Sequence, residues 1–429
     1  MLDYIYSSSE LTKKIQERSS FDNQEAMAVV MGIMDDIKKY GDDALKRYTK
    51  EFDKCDINEF LVSEEEITAA YNEIEEELLV IIRKSRDNIR EFHEKQKQES
   101  WMWEKAPGIS LGQRITAVER AGVYVPGGSA PLISSVLMNA VPAAVAGVGE
   151  IIMCTPPDNN GDIDCMRIVA AVESGVSKIF KAGGAQAIFA MAMGTKSIPR
   201  VDKITGPGNI YVVNAKKMAY GFCGIDMLAG PSEILIVADS DANPAFVAAD
   251  LLGQAEHDVL AASILVTLDT DFADKVKAEV EKQLAVLPRK DIAAKSLGSH
   301  GAIYIAKDIE DAVSVVNEIA PEHCELLVGN PDEYLDKITN AGAIFVGAYS
   351  PEPLGDYWAG PNHTLPTGGT ARFYSPLGVY DFYKRTSIIN CSKEALEKDY
   401  KKISAFARAE QLDAHANAIE IRFAEADDE

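Results

Sequence analysis

Apolar positions along the chain change rhythm near residue 109. Between residues 23 and 98 they recur at intervals of three and four, the spacing of amphipathic helices. Ser63 and Glu66 match a capping box, in which each residue satisfies a backbone N–H of the other. After it, Ile67, Tyr71, Ile74, Leu78, Ile81, Ser85, Ile89 and Phe92 predict one long helix with a single buried stripe. From about 109, short apolar runs alternate with helical segments. "GVYVP" precedes "SVLMNAVPAAVAGV", "EIIMCT" precedes "CMRIVAAVESGV", and "KIFKAGG" precedes "AQAIFAMAMG". "SEILIVAD" opens a second series that continues through "ASILVTL", "GAIYIA", "CELLV" and "GAIFVG". Such alternation predicts parallel strands covered by helices, and so two α/β units in tandem.

Two stretches break this pattern. After Val346 come more than 25 residues rich in glycine and proline, and a loop that long inside a compact domain is usually functional. From about residue 393 the chain reads as two helices and an acidic tail with little to build a core of their own, which suggests packing on something else, such as another subunit. The 429 residues suffice for two or three domains. A net charge of -24 argues against nucleic acid and anionic membranes as partners. Six scattered cysteines without a C-x-x-C argue against a disulfide framework or a thiolate zinc cluster. The N-terminus lacks the basic-then-apolar order of a signal peptide, so a cytoplasmic protein is expected.

Candidate chemistry concentrates on few residues. In "DLLGQAEHD", Asp250, Gln254 and His257 fall at helical spacing and point to one side, either as a solvated face or as part of a metal site. On chemistry alone Asp250 is the better companion for His257, since glutamine is an uncommon zinc ligand. Glu322 and His323, in "APEHCELLV", stand just before a strand, where general bases are often held, although a loop with surface charges would read the same way. The loop "GDYWAGPNHTLPTGG" sets Asp356, Trp358 and His363 among rigid turns, which suits a small-molecule site. His415, five residues after Glu410, reads as an exposed helical histidine. The glycine clusters "YVPGGSAP", "AGGAQA" and "TGPGN" allow close backbone approach to a ligand, but none fits G-x-G-x-x-G.

Eight ordered blocks together resemble the histidinol dehydrogenase family: "GVYVPGGSAPLISSVLMNAVPA", "AGGAQAI", "GPGN", "AGPSEILIVAD", "DLLGQAEHD", "APEHCELLV", "LGDYWAGPNHTLPTGGTARF" and "EQLDAHANAI". The resemblance implies two tandem Rossmann-like parallel-sheet domains, with a helical N-terminal region and a small helical C-terminal extension. The expected boundaries are 1–20 for an N-terminal extension, 21–123 with 233–376 for the first α/β domain, 124–232 for a nucleotide-binding domain, and 377–429 for an extension packing on a partner subunit. It also implies NAD-dependent oxidation of L-histidinol to L-histidine by way of histidinal, with two NAD+ per turnover and one Zn2+ per subunit. Carried onto this chain, the metal ligands are Gln254, His257, Asp356 and His415, which leaves Asp250 out. His323 becomes the general base and Glu322 the activator of water. The substrate contacts are Ser232, His363 and Glu410 together with His323 and the metal ligands; the NAD contacts are Tyr124, Gln186 and Asn209. In the family the last metal ligand comes from the second protomer, so a homodimer with shared sites is expected.

One departure is visible: Cys324 follows the Glu-His pair where the family more usually has leucine. Two alternatives have distinct signatures. A relative acting on another small alcohol, such as sulfopropanediol, would share metal and nucleotide but have less use for His363 and Glu410. A zinc-stabilised structural protein would give Glu322 and His323 no role.

Overall fold

The computed structural model describes residues 2–16, 18, 24–127 and 131–424. Gly128, in the first glycine cluster, and the last five residues of the acidic tail lie outside them. Packing divides the chain into two compact units: Met1–Lys97 with Val118–Phe382, and Gln98–Ala117 with Tyr383–Glu429.

The first unit holds both expected parallel sheets. The larger runs Asp3–Ile5, Ala302–Ile305, Ala262–Thr267, Glu233–Ala238, His323–Leu327, Ala343–Val346 from edge to edge. Every residue of Glu233–Ala238 and Ala262–Thr267 is buried, as expected for strands covered on both faces. One face packs Leu235, Val237, Ile264, Val266 and Val316; the other packs Ile234, Ile236, Leu251, Phe272 and Val276. The second sheet runs Lys178–Lys181, Glu150–Thr155, Arg120–Tyr124, Lys203–Thr205, Gly224–Ile225. In each sheet the strand order reverses beside the first strand of its series, at Glu233–Ala238 and at Arg120–Tyr124. Such reversals open crevices for ligands.

The capping box is present: Glu66 N donates to Ser63 Oγ at 3.2 Å and Ser63 N donates to Glu66 Oε2 at 2.8 Å. The long helix predicted after it is two helices, Glu64–Glu73 and Glu76–Glu94, separated by extended Ile74 and Glu75. The break shifts the phase of the buried stripe. In the second helix Ile82, Ser85, Ile89 and His93 are buried, while Ile81 and Phe92 are exposed.

The second unit contains an antiparallel sheet that the hydrophobic pattern did not predict, Tyr383–Cys391 against Ile109–Ala117 against Trp101–Ala106. The C-terminal extension is therefore not purely helical. Its helices Tyr400–Ala409 and Asp413–Glu420 are tied by Arg408, whose guanidinium bonds both carboxylate oxygens of Glu420. Among the described residues no disulfide links the six cysteines, and no helix is long and apolar enough to cross a membrane.

Candidate active site

The helix Pro244–Ala255 begins with Asn243 capping Ala245 N and proline in its first turn. It ends at Ala255, so His257 is not on the helix as expected. His257 N bonds Gln254 O at 3.3 Å, a tightened final turn that still brings both side chains to one cavity. Asp250 is not among the residues that line this cavity, and burial pushes its carboxyl up to about 6. The helix Ile309–Ile319 stops at Ala320 in the left-handed region, with Pro321 next, and this delivers Glu322 and His323 to the start of their strand. They therefore sit at the amino edge of the larger sheet, beside Ser232 and Glu233 at the start of the neighbouring strand, not at the carboxyl edge.

Ser232, Gln254, His257, Glu322, His323, Asp356 and His363 line one cavity of about 520 Å³. Glu410 and His415, both exposed, belong to the second unit. His323 Nδ1 lies 3.1 Å from the carbonyl oxygen of Glu233, so that nitrogen carries the hydrogen. Its Nε2 is buried without a partner, 3.9 Å from Asp356 Oδ1. Burial lowers the His323 pKa, against the opposing charge of Asp356. Glu322 Oε2 accepts from Glu233 N at 3.0 Å and lies 3.9 Å from His323 Nδ1. Burial, and then the charge of Glu233, raise the Glu322 carboxyl well above its usual range. Asp356 behaves oppositely. Burial would raise it, but the neighbouring rings of His363, 3.6 Å away, and His323, 3.9 Å away, hold it low.

The long loop supplies Glu352, Asp356, Tyr357, His363, Leu365 and Thr367 to the cavity. It is anchored at Asn362, whose Nδ2 donates to Met138 O at 2.7 Å. Glu352 was not anticipated. It is buried, its N–H donates to Glu325 Oε1 at 2.9 Å, and burial, then the charge of Asp356, pushes its carboxyl up to about 9. Gly342 was also missed. A Cβ there would meet Glu322 O at 2.5 Å, and this close approach lets Ala343 N reach that carbonyl.

The donor set fits a divalent cation. Both amide atoms of buried Gln254 lack partners, as do His323 Nε2 and His363 Nδ1. Among the described residues His323, Glu352 and Asp356 offer ligand atoms within 4.8 Å of one another. Asp356 alone belongs to both this group and the set expected from resemblance.

A second cavity, of about 750 Å³, is lined by Phe52, Asp53, Tyr124, Pro156, Gln186 and Tyr211 among others, and shares Pro126 and Asn209 with the first. It lies beyond the carboxyl ends of the smaller sheet's strands, where open α/β sheets bind ligands. Gln186 is fully buried with neither amide atom paired, and Asp53 Oδ2 is also unpaired. The Tyr124 hydroxyl accepts from Gly184 N at 2.9 Å. Asn209 has a structural duty as well: its Oδ1 caps the helix Ile210–Ala219 through Tyr211 N and Val212 N. Gly206, at φ 121°, passes so close to Tyr124 that a Cβ would lie 2.0 Å from its carbonyl oxygen. The buried pair Lys216–Asp226, at 2.5 Å, fixes this turn from both sides. Lys216 donates to Gly206 O and Asp226 accepts from Gly206 N, each at 2.8 Å.

Known proteins are similar to this chain in sequence and architecture. A family model of histidinol dehydrogenase matches residues 16–423. The chain is 54% identical over 393 residues to histidinol dehydrogenase of Halalkalibacterium halodurans, covering 92% of this chain and 93% of that protein. It is 52% identical over 399 residues to histidinol dehydrogenase of Bacillus subtilis, covering 93% of each. The crystal structure of histidinol dehydrogenase from Elizabethkingia anophelis superposes with a TM-score of 0.93 at 42% identity, covering 99% of this chain and 98% of that one. The chain thus belongs to the histidinol dehydrogenase family of oxidoreductases.

Proposed function

We propose that the protein oxidises L-histidinol to L-histidine through histidinal, using two NAD+ per turnover and one Zn2+ per subunit. The observation that carries the chemistry is His323: its Nδ1 is committed to the Glu233 carbonyl, which leaves the Nε2 lone pair free within the cavity. That nitrogen takes the hydroxyl proton as the alcohol carbon gives up hydride. The aldehyde cannot give up its remaining C–H hydrogen as hydride until water adds. Glu322, buried beside His323, orients that water and takes its proton while the protonated His323 returns its own to the carbonyl oxygen; freed in this way, His323 then removes a proton from the diol as the second hydride leaves. Ser232, His363 and Glu410 are proposed to hold the substrate's amine and imidazole.

Gln254, His257, Asp356 and His415 are the proposed zinc ligands, and the metal when bound supplies an anchor for the substrate's imidazole and amine. Tyr124, Gln186 and Asn209 are proposed to bind NAD+, which when bound supplies the hydride acceptor. A homodimer with shared sites is supported by the exposed apolar residues Trp101, Met102, Trp103, Ile389 and Phe406 of the second unit, which also carries Glu410 and His415. Cytoplasmic residence is the corresponding proposal for location. The decisive experiment counts NADH formed per histidinol consumed, on protein of measured metal content. Two is expected, and no histidinol-dependent NADH would end this reading.

A further inference from the structure

Arg18 lies more than 200 residues in sequence from Ser232 and Glu233, yet its side chain is fully buried against them at the base of the active site. Its Nη1 donates to Ser232 O at 2.9 Å and to Leu260 O at 2.8 Å, and its Nη2 bonds Glu233 Oε2. The other carboxylate oxygen of Glu233 accepts from Gly368 N at 3.0 Å, in the long loop that also carries Asp356 and His363. The backbone of Glu233 holds both residues of the Glu-His pair: its N–H bonds Glu322 and its carbonyl bonds His323. One residue thus joins the N-terminal segment, the strand bearing the base, and the loop.

Burying an ion pair is a poor way to gain stability, because desolvation offsets most of the attraction. It does fix geometry, since a guanidinium bonded to two carbonyls and a carboxylate has one good orientation. We infer that Arg18 and Glu233 form a positioning pair for the oxidation, with Arg18 locking Glu233 so that its backbone aims His323 Nε2 and Glu322 at the substrate. The inference rests on the roles proposed for Glu322 and His323. The pair touches no reacting atom and acts through those two side chains.

The test compares Arg18→Met, Arg18→Lys and Glu233→Gln in the metal-loaded enzyme, with His323→Asn and Glu322→Gln alongside. Turnover is normalised to folded, NAD+-binding sites. Misaiming a base by about 1 Å costs about 100-fold. Arg18→Met should therefore lose about that factor in kcat, with KM for histidinol and Kd for NAD+ little changed. Arg18→Lys, which keeps the charge and some of the hydrogen bonds, should recover part of it. A purely structural role would instead lower Tm and the folded fraction while sparing kcat per site. A folded Arg18→Met with near-normal kcat overturns the inference. Should Arg18→Met not fold, Glu233→Gln decides in the same way, because the amide oxygen can still accept from Gly368 N. Normal turnover in His323→Asn and Glu322→Gln would overturn the proposed roles themselves, and the positioning pair with them. Loss in those two without loss in the Arg18 and Glu233 variants overturns the positioning pair alone.

Discussion

His323 Nδ1 and the main-chain oxygen of Glu233 lie 3.1 Å apart, across adjacent parallel strands whose register sets His323 opposite Ile234. Sheet geometry, not a side chain, therefore selects the tautomer. Asparagine at 323 could keep a polar group in the cavity but could not act as a base. His323→Asn should lose about 100- to 10,000-fold in kcat while retaining its metal, as checked by steady-state rates and elemental analysis of the same preparation. Loss of metal in step with activity would instead make this side chain a ligand, as its closeness to Glu352 and Asp356 allows.

Gln254 is buried with both amide atoms unpaired, so a cation explains it better than the apoprotein does. Gln254→Ala should weaken zinc retention by at least about tenfold, read as the chelator concentration that halves bound metal. In the parent protein, full chelation should abolish histidinol oxidation and added Zn2+ should restore it. Undiminished turnover after complete metal removal would contradict the proposal.

Burial pushes the Asp53 carboxyl up to about 6, and one of its oxygens has no partner in the second cavity. A nucleotide hydroxyl bonds the ionised carboxylate more strongly than the acid. NAD+ affinity should therefore fall as pH drops through about 6, and Asp53→Asn should weaken binding and flatten that dependence. For the free protein the sign is opposite: a raised carboxyl pKa favours the fold at low pH, and that contribution is lost as pH rises through about 6. Calorimetric Kd values on both sides of that pH decide, and a flat profile in the parent protein counts against a nucleotide contact at Asp53.

Gly342 leaves no room for a methyl group against the Glu322 carbonyl. Gly342→Ala should cost about 1–3 kcal/mol of stability and lower turnover further by shifting Glu322. Denaturant melts and kcat measured on folded protein separate the two effects. Unchanged values in both would show that the strand tolerates the shift.

The proposed dimer has a complementation test. His257→Ala and His415→Ala proteins are each expected to be nearly inactive. After subunit exchange, a hybrid should carry one site with both histidines and regain activity. Persistent inactivity despite demonstrated exchange would exclude sites built from two subunits.

Much of the fold was legible because its central strands are buried and rich in branched residues. The runs "EILIVA" and "ASILVT" can do little else than lie inside a covered sheet. The antiparallel sheet was not legible, because "WMWEKA" and "YKRTSIINC" are almost wholly exposed within the chain and so lack the alternation of a half-buried strand. The helix break at Ile74 was hidden because apolar spacing runs straight through it. At the site, Glu322, His323, Asp356 and His363 were suspected from their types and neighbours. Arg18, Glu233 and Glu352 were not, because a charge becomes informative only once it is seen to be buried, and burial is decided by distant parts of the chain.

Pro126 and Asn209 border both cavities. On the proposed chemistry, two dinucleotides must serve one substrate in succession, and the half-oxidised compound is an aldehyde able to react with any free amine. With carrier and substrate in adjoining chambers, a spent carrier can be exchanged while the aldehyde stays seated. A four-electron oxidation then needs neither a second enzyme nor release of a reactive intermediate.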